Sequence, residues 1–183
     1  MGGCLRCGRC CTSFGVCITP FDILRLSRAS GLRAESFAMA IPEPPERERT
    51  EPAVLIGGEP SLIVLRWAGP PERKCMFYSG AGCSVYDCRP MLCRTYPFKT
   101  GQLGGELTGM KSRACPRAWN PTNGGAYVAD NETYSREISS YVEIAEEWNR
   151  GGGGTLMEFL DFAAKKAAGA IGISRREGKA DKL

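Results

Sequence analysis

Apolar residues recur at different spacings along this chain, and each spacing predicts its own kind of element. In ITPFDILRLSRASG, residues Ile23, Leu24, Leu26 and then Leu32 mark one face of a short helix. Thr19 is its N-cap, Pro20 fills the first helical position and Gly31 stands beyond its end. Another short helix is expected near 35–40. IPEPPERERTEP, over 41–52, is charged and proline-rich, which predicts an exposed loop. Next, AVLIGGEPSLIVLRW carries two apolar runs around Gly57-Gly58-Glu59-Pro60, the pattern of a hairpin. KCMFYSGAGCSVYDC repeats it, with Ser79 to Gly82 as the turn, so the two hairpins are expected to make a small antiparallel sheet. The Gly-rich stretch 101–110 is a candidate for one more short strand.

The last third is helical in period. From Thr133, Tyr134, Ile138, Tyr141, Val142, Ala145 and Trp148 predict an amphipathic helix that residues 151–154, all glycine, interrupt. Thr155 and Glu158 form a T-x-x-E capping box ahead of Leu156, Phe159, Leu160, Phe162 and Ala163, so a final helix is expected to about Ala168. The fold class that follows is α+β: a small metal-stapled domain of short antiparallel hairpins and short helices, followed by two C-terminal amphipathic helices. One domain is expected over 1–183, with a cysteine-rich core at 4–117, a helical part at 131–170 and a flexible polar tail at 174–183.

Composition narrows the chemistry. With 183 residues and 43% apolar content, the chain can bury one core of ordinary size. Its net charge of +4 is spread along the sequence, which gives no electrostatic reason to bind nucleic acid or an anionic membrane. No signal peptide precedes the cysteines and no apolar run approaches bilayer length, so a soluble cytoplasmic protein is expected. There are ten cysteines and no histidine. At about 5% of the chain, these cysteines are sparser than in disulfide scaffolds, and clustered thiols in a reducing compartment point to metal or redox work. The lack of histidine excludes Cys-His and Ser-His nucleophile pairs, His-ligated zinc catalysis and Rieske-type ligation.

The cysteines cluster at the start, in CLRCGRCC. Two residues between ligands let both sulfurs of a C-x-x-C turn face one point, and Gly8 supplies the backbone freedom the turn needs. Cys4, Cys7 and Cys10 have the spacing of a ferredoxin triplet, and Cys115, followed by Pro116, has the form of a distant fourth ligand, so a [4Fe-4S] cubane is permitted. In an extended segment neighbouring side chains point apart, so Cys11 is expected to serve a second site or to back the first. Cys75, Cys83, Cys88 and Cys93 complete the inventory apart from Cys17. Spacing alone leaves iron-sulfur, zinc held by four thiolates, and disulfides or free thiols as alternatives.

Arginine accompanies the thiols: Arg6, Arg9, Arg89, Arg94, Arg113 and Arg117. Guanidiniums beside an anionic cluster would stabilise it, and Arg89 and Arg94 are the two expected to do so; solvated surface positions are the alternative for the others. Tyr86, Tyr96 and Phe98 read as an apolar wall, Pro90 and Pro97 as the start and end of a short helix holding Cys93 and Arg94, and Asp22 as a carboxylate favoured by the dipole of the helix it opens.

The stretch CSVYDCRPMLCRTYPF, over 83–98, together with CLRCGRCC and ITPFDILRL, resembles the CxxCxxCC, or YkgJ-like, family of zinc- or iron-chelating cysteine-cluster proteins. The family's pattern falls here on Cys4, Cys7, Cys10, Cys11, Cys75, Cys83, Ser84, Tyr86, Arg89, Pro90, Cys93, Arg94, Tyr96, Pro97, Phe98 and Cys115; Cys17 and Cys88 lie outside it. The resemblance covers roughly 4–117. It implies metal ligation by Cys4, Cys7, Cys10, Cys11, Cys75, Cys83, Cys93 and Cys115. Flagellin lysine methylases carry a similar cluster in a longer chain, which would imply S-adenosylmethionine and a lysine acceptor, yet the glycines at 151–154 follow a helix and read as a linker. Three functions are thereby set against one another: an iron-sulfur protein for redox or protein-modifying chemistry, a zinc module for protein–protein contact, and a metal-trafficking protein. A radical S-adenosylmethionine enzyme is disfavoured because C-x-x-x-C-x-x-C is absent. The sequence names neither a protein partner nor a small-molecule one.

Overall fold

A three-stranded antiparallel sheet forms the centre of the protein, built from β1 (Ala38–Pro42), β2 (Val54–Ile56) and β3 (Glu59–Leu65) in the order β1-β3-β2. The computed structural model describes residues 6–45, 50–68, 74–100, 107–109, 114 and 125–180. The β2–β3 hairpin is the predicted one. Gly57 and Gly58 have φ of 61° and 87°, and two successive positive φ values are what a tight twisted hairpin turn demands. β3 has no polar face after Ser61 because both sides are covered. Ile63 and Leu65 join the main core with Ile18, Ile23, Leu26, Phe37, Val54, Tyr141 and Phe159, whereas Leu62 and Val64 pack with Cys17, Met39, Ile41 and Leu92.

The segment before the first long helix extends this sheet. Leu65 N–H donates to Val16 O at 2.8 Å and Ile18 N–H to Ile63 O at 3.0 Å, so residues 16–18 lie beside the far half of β3. α1 (Arg9–Ser13) precedes them, and α2 (Pro20–Ser30) follows with the predicted signals in place. The Thr19 hydroxyl accepts from Asp22 N–H, the Asp22 carboxylate accepts from Thr19 N–H, and Gly31 closes the helix at φ 70°. Leu32, expected on the apolar face, is exposed because it lies past that end.

Two expectations in this region are corrected. The helix near 35–40 is only α3 (Ala34–Phe37), because Ala38 onward pairs with β3, and a full set of strand hydrogen bonds outweighs local helix propensity. The proline-rich stretch is not wholly exposed: Ile41 and Pro42 finish β1, and Glu51 is buried, accepting from the Tyr134 hydroxyl at 2.5 Å. The second hairpin is also reduced. β4 (Trp67–Ala68) pairs with β5 (Lys74–Cys75), and of the expected turn there remains a bridge between Tyr78 and Cys83 closed by Ser79 N–H to Gly82 O. A 3-10 turn at Tyr86–Cys88 leads into α4 (Met91–Thr95), then β6 (Phe98–Thr100) pairs with β7 (Leu107–Gly109).

α5 (Gly125–Arg150) starts eight residues before the predicted helix, and α6 (Leu156–Ala180) runs on past Ala168 to Ala180. α6 packs on α2 and α3, and α5 packs on α4, β2 and β6. The buried stripe of α5 is Tyr134, Glu137, Tyr141, Ile144 and Ala145, so Ile138 is only half-buried and Val142 is exposed. The phase differs because an acid sits on the inner face. Glu137 takes hydrogen bonds from the Thr19 hydroxyl at 3.0 Å and from both Arg25 Nη atoms.

The C-terminal end of α5 covers the free edge of β2. Trp148 Nε1–H donates to Leu55 O at 2.8 Å, Leu55 N–H donates to Asn149 Oδ1 at 2.8 Å, and Asn149 Nδ2–H donates to Ala53 O at 3.0 Å. Asn149→Ala is therefore expected to leave a strand donor and acceptor unpaired and to cost about 1–3 kcal/mol in denaturant unfolding. The glycines at 151–154 serve the same edge. Gly153 has φ 74°, and a Cβ there would lie 2.6 Å from Leu55 O. Among the described residues no helix is long and apolar enough to cross a membrane.

Candidate metal centre

Four separate stretches carry the described cysteines of the two motifs, and the fold brings them to one cavity. Gly8, at φ 75°, turns the chain into α1, whose first turn carries Cys10 and Cys11 and which packs on β5. Because this segment is helical, adjacent side chains diverge by only about 100° rather than pointing to opposite faces. Both sulfurs accordingly line the cavity, 4.0 Å apart, with no extra bend of the chain. Gly8 itself lies under Tyr78, where a Cβ would fall 2.1 Å from the phenol carbon and oxygen. Gly8→Ala combines that collision with a left-handed backbone. A loss of about 1–3 kcal/mol is expected in thermal or denaturant unfolding, together with displacement of Tyr78.

Cys75 comes from β5, Cys83 from the bridge opposite Tyr78, and Cys93 from α4. Pro90 stands at the N-cap of α4 and accepts from Cys93 N–H at 2.9 Å. Asp22 completes that helix start: its Oδ1 accepts from Met91 N–H at 2.9 Å, while the same carboxylate pairs with Arg25. The carboxylate expected to answer only to its own helix dipole thus ties α2 to the helix bearing Cys93.

The cavity has a volume of about 360 Å³ and is lined by Cys7, Cys10, Cys11, Cys75, Cys83 and Cys93. Apolar walls are supplied by Phe14, Val16, Leu65, Phe77, Val85, Leu92 and Tyr96, with Tyr86 beside them. Phe14 stacks at a tilt on Tyr96 with ring centroids 5.8 Å apart. Phe98, expected in this wall, packs instead on Tyr127 of α5 at 4.6 Å. Ala114, one residue before Cys115, also lines the cavity. Cys4, Cys115, Arg113 and Arg117 fall outside the described residues. Cys17 and Cys88 do not line the cavity: Cys17 is bridged to Val64 beside β3, and Cys88 sits in the 3-10 turn.

The two arginines singled out separate. Arg89 lines the cavity, its guanidinium 4.1 Å from the Tyr86 ring centroid and its Nη1–H donating to Tyr86 O at 2.8 Å. Arg6 stacks on the same ring at 3.8 Å. Arg94 instead reaches Asp130 on α5 at 2.7 Å.

The electrostatics of the thiols favours one anion and opposes more. The hydrogen bond from Cys11 lowers the Cys10 thiol to about 6, with Arg89 adding to the effect. Cys11 is pushed up by that same bond and by burial. Burial, with the charges of Cys83 and Cys10, pushes Cys75 up to about 11, and burial followed by Cys75, Cys10, Asp22 and Cys83 raises Cys93 further. Several buried thiolates at one cavity need a compensating cation, which is the condition under which metal binding expels thiol protons. Among the described residues no three cysteine or carboxylate side chains close on a common point.

Residues 3–116 match the family model CxxCxxCC, described as a “Putative zinc- or iron-chelating domain”. The chain belongs to the CxxCxxCC family. No curated protein and no solved structure matches it. The CxxCxxCC match spans both cysteine motifs and ends before α5, so the two long helices packed on the core lie outside it. All six described cysteines of the CxxCxxCC pattern line the cavity, and the two described cysteines outside that pattern, Cys17 and Cys88, do not. Sequence reasoning missed Glu137 and the reach of Asp22 to α4. The Thr19–Asp22 box was visible, but nothing local announces a partner more than sixty residues away.

Proposed function

We propose that the cavity holds an iron-sulfur centre of the [4Fe-4S] kind, with ligands drawn from Cys4, Cys7, Cys10, Cys11, Cys75, Cys83, Cys93 and Cys115, and that the protein serves cytoplasmic redox chemistry. The observation that carries this reading is the partition of the described cysteines: the six of the family pattern line one cavity of about 360 Å³, and Cys17 and Cys88 do not. A bound cluster supplies one-electron transfer. The protein's part is to collect thiols from four segments, to shield them behind Phe77, Val85, Leu92 and Tyr96, and to leave one side accessible at Arg6, Cys7 and Phe14. An electron-exchange partner, protein or small molecule, would approach that side.

Redox service is preferred to methyl transfer because the glycines at 151–154 are taken up at the end of β2, where Gly154 is bridged to Ile56 and Gly57 N–H in the following turn donates to Gly154 O at 2.8 Å. One observation favours zinc as the second reading: the 4.0 Å between Cys10 and Cys11 sulfurs is close to the separation of about 3.8 Å for two thiolates on one tetrahedral zinc with bonds of about 2.3 Å. An absorption spectrum of anaerobically purified protein separates the two. Broad absorbance near about 400 nm that bleaches on reduction is expected for the cluster. A colourless protein that loses structure on strong chelation contradicts it and supports zinc.

A further inference from the structure

Arg89, which lines the cavity, carries a buried side-chain nitrogen whose bonding is incomplete among the described residues. Arg89 is held on two sides, by the Tyr86 ring and by the carbonyl of Tyr86, yet its Nε is shut off from water and has no hydrogen-bond partner among the described residues. A buried N–H left unpaired on a charged group is costly, which is a reason to look for its acceptor in the cavity that Arg89 lines. Arg25 has the other such Nε, but its Nη atoms are satisfied by Asp22 and Glu137 and it does not line the cavity. Arg94 has Asp130. Arg89 pairs with no carboxylate among the described residues, and Cys10, Cys11, Cys75, Cys83 and Cys93 line the same cavity.

Building on the iron-sulfur reading above, we propose that Arg89 donates its Nε–H to a sulfur of the centre and, by favouring the more electron-rich reduced state, raises its midpoint potential. Tyr86 is the support that aims it, because the stacking and the carbonyl bond together fix the plane of the guanidinium. The protein would thus set its potential with a residue from the second motif acting on a centre shared with the first.

The test is a redox titration of anaerobically purified wild type, Arg89→Met, Arg89→Lys and Tyr86→Leu, with iron and acid-labile sulfide measured on each. Arg89→Met is expected to keep a cluster and to shift the reduction equilibrium at least about tenfold toward the oxidised form, about 59 mV lower for one electron. Arg89→Lys keeps the charge but not the planar donor and is expected to fall between, as is Tyr86→Leu. These two variants carry the test should Arg89→Met fail to load. Loaded variants with the wild-type potential overturn the inference and leave the iron-sulfur reading standing; an adjacent anion site for Arg89 is then the better account. A wild type holding zinc without sulfide overturns both.

Discussion

Cys93→Ala is expected to strip the protein of its metal, lowering the content per chain by about tenfold or more at equal protein recovery, since loss of even an outer partner of a metal ligand costs about 10–100-fold in affinity. Cys93 is the thiol whose placement depends most on the rest of the fold. It sits in a five-residue helix that could not persist alone and is fixed at its start by Pro90 and by Asp22 from α2. Burial is the first cause that raises the Cys93 thiol, so a bound cation would favour its ionised form there. The controls are built into the chain. Cys88→Ala and Cys17→Ala are expected to keep wild-type metal, because neither side chain lines the cavity. Cys17→Ala is expected to show a small stability loss, since Cys17 packs with Leu62 and Val64. Metal analysis by plasma emission on all three variants checks this. Equal loss in Cys88→Ala and Cys93→Ala would contradict the assignment.

Asp22→Ala is expected to have the largest effect on stability of any single substitution away from the cysteines. The carboxylate is fully buried and accepts from Thr19 N–H at 3.0 Å, from Met91 N–H at 2.9 Å and from the Arg25 guanidinium. Removing it takes away half of the capping box of α2, leaves Met91 N–H at the start of α4 without its acceptor, and leaves Arg25 with Glu137 as its remaining carboxylate. Breaking a buried ion pair from one side costs about 3–5 kcal/mol, which for a chain of this size corresponds to a Tm lower by roughly 10 °C. Asp22→Asn keeps an acceptor for Met91 N–H and is expected to lose less. Metal retention is expected to fall in parallel with the uncapping of α4, so calorimetry and metal content together separate this account from a carboxylate that acts only on its own helix. An Asp22→Ala protein with wild-type Tm would contradict it.

The features legible in the sequence are those set by neighbours within a few residues. Thr19, Pro20 and Gly31 delimit α2 as read, and Gly57-Gly58 make the hairpin between β2 and β3, because caps and tight turns depend on local backbone geometry. What failed depends on partners far along the chain. Ala38 follows β3 rather than its own helical propensity, and Lys74–Cys75 pairs with Trp67–Ala68 rather than with the residues after Gly82. Glu137 interrupts the apolar period of α5 because Arg25, 112 residues away, needs it. The site divides the same way. The family resemblance, not spacing, separated Cys17 and Cys88 from the six described cysteines that line the cavity, and the side-by-side placement of Cys10 and Cys11 required knowing that their segment is helical. Of the arginines, Arg89 and Arg94 look alike in sequence, and only the packing of α5 on α4 sends Arg94 to Asp130.

The most direct test of the central claim is the iron, acid-labile sulfide and zinc content of the anaerobically purified full chain. Iron and sulfide in equal amounts, about four of each per centre and absent from Cys93→Ala, are the expected result. Zinc with no sulfide would contradict it.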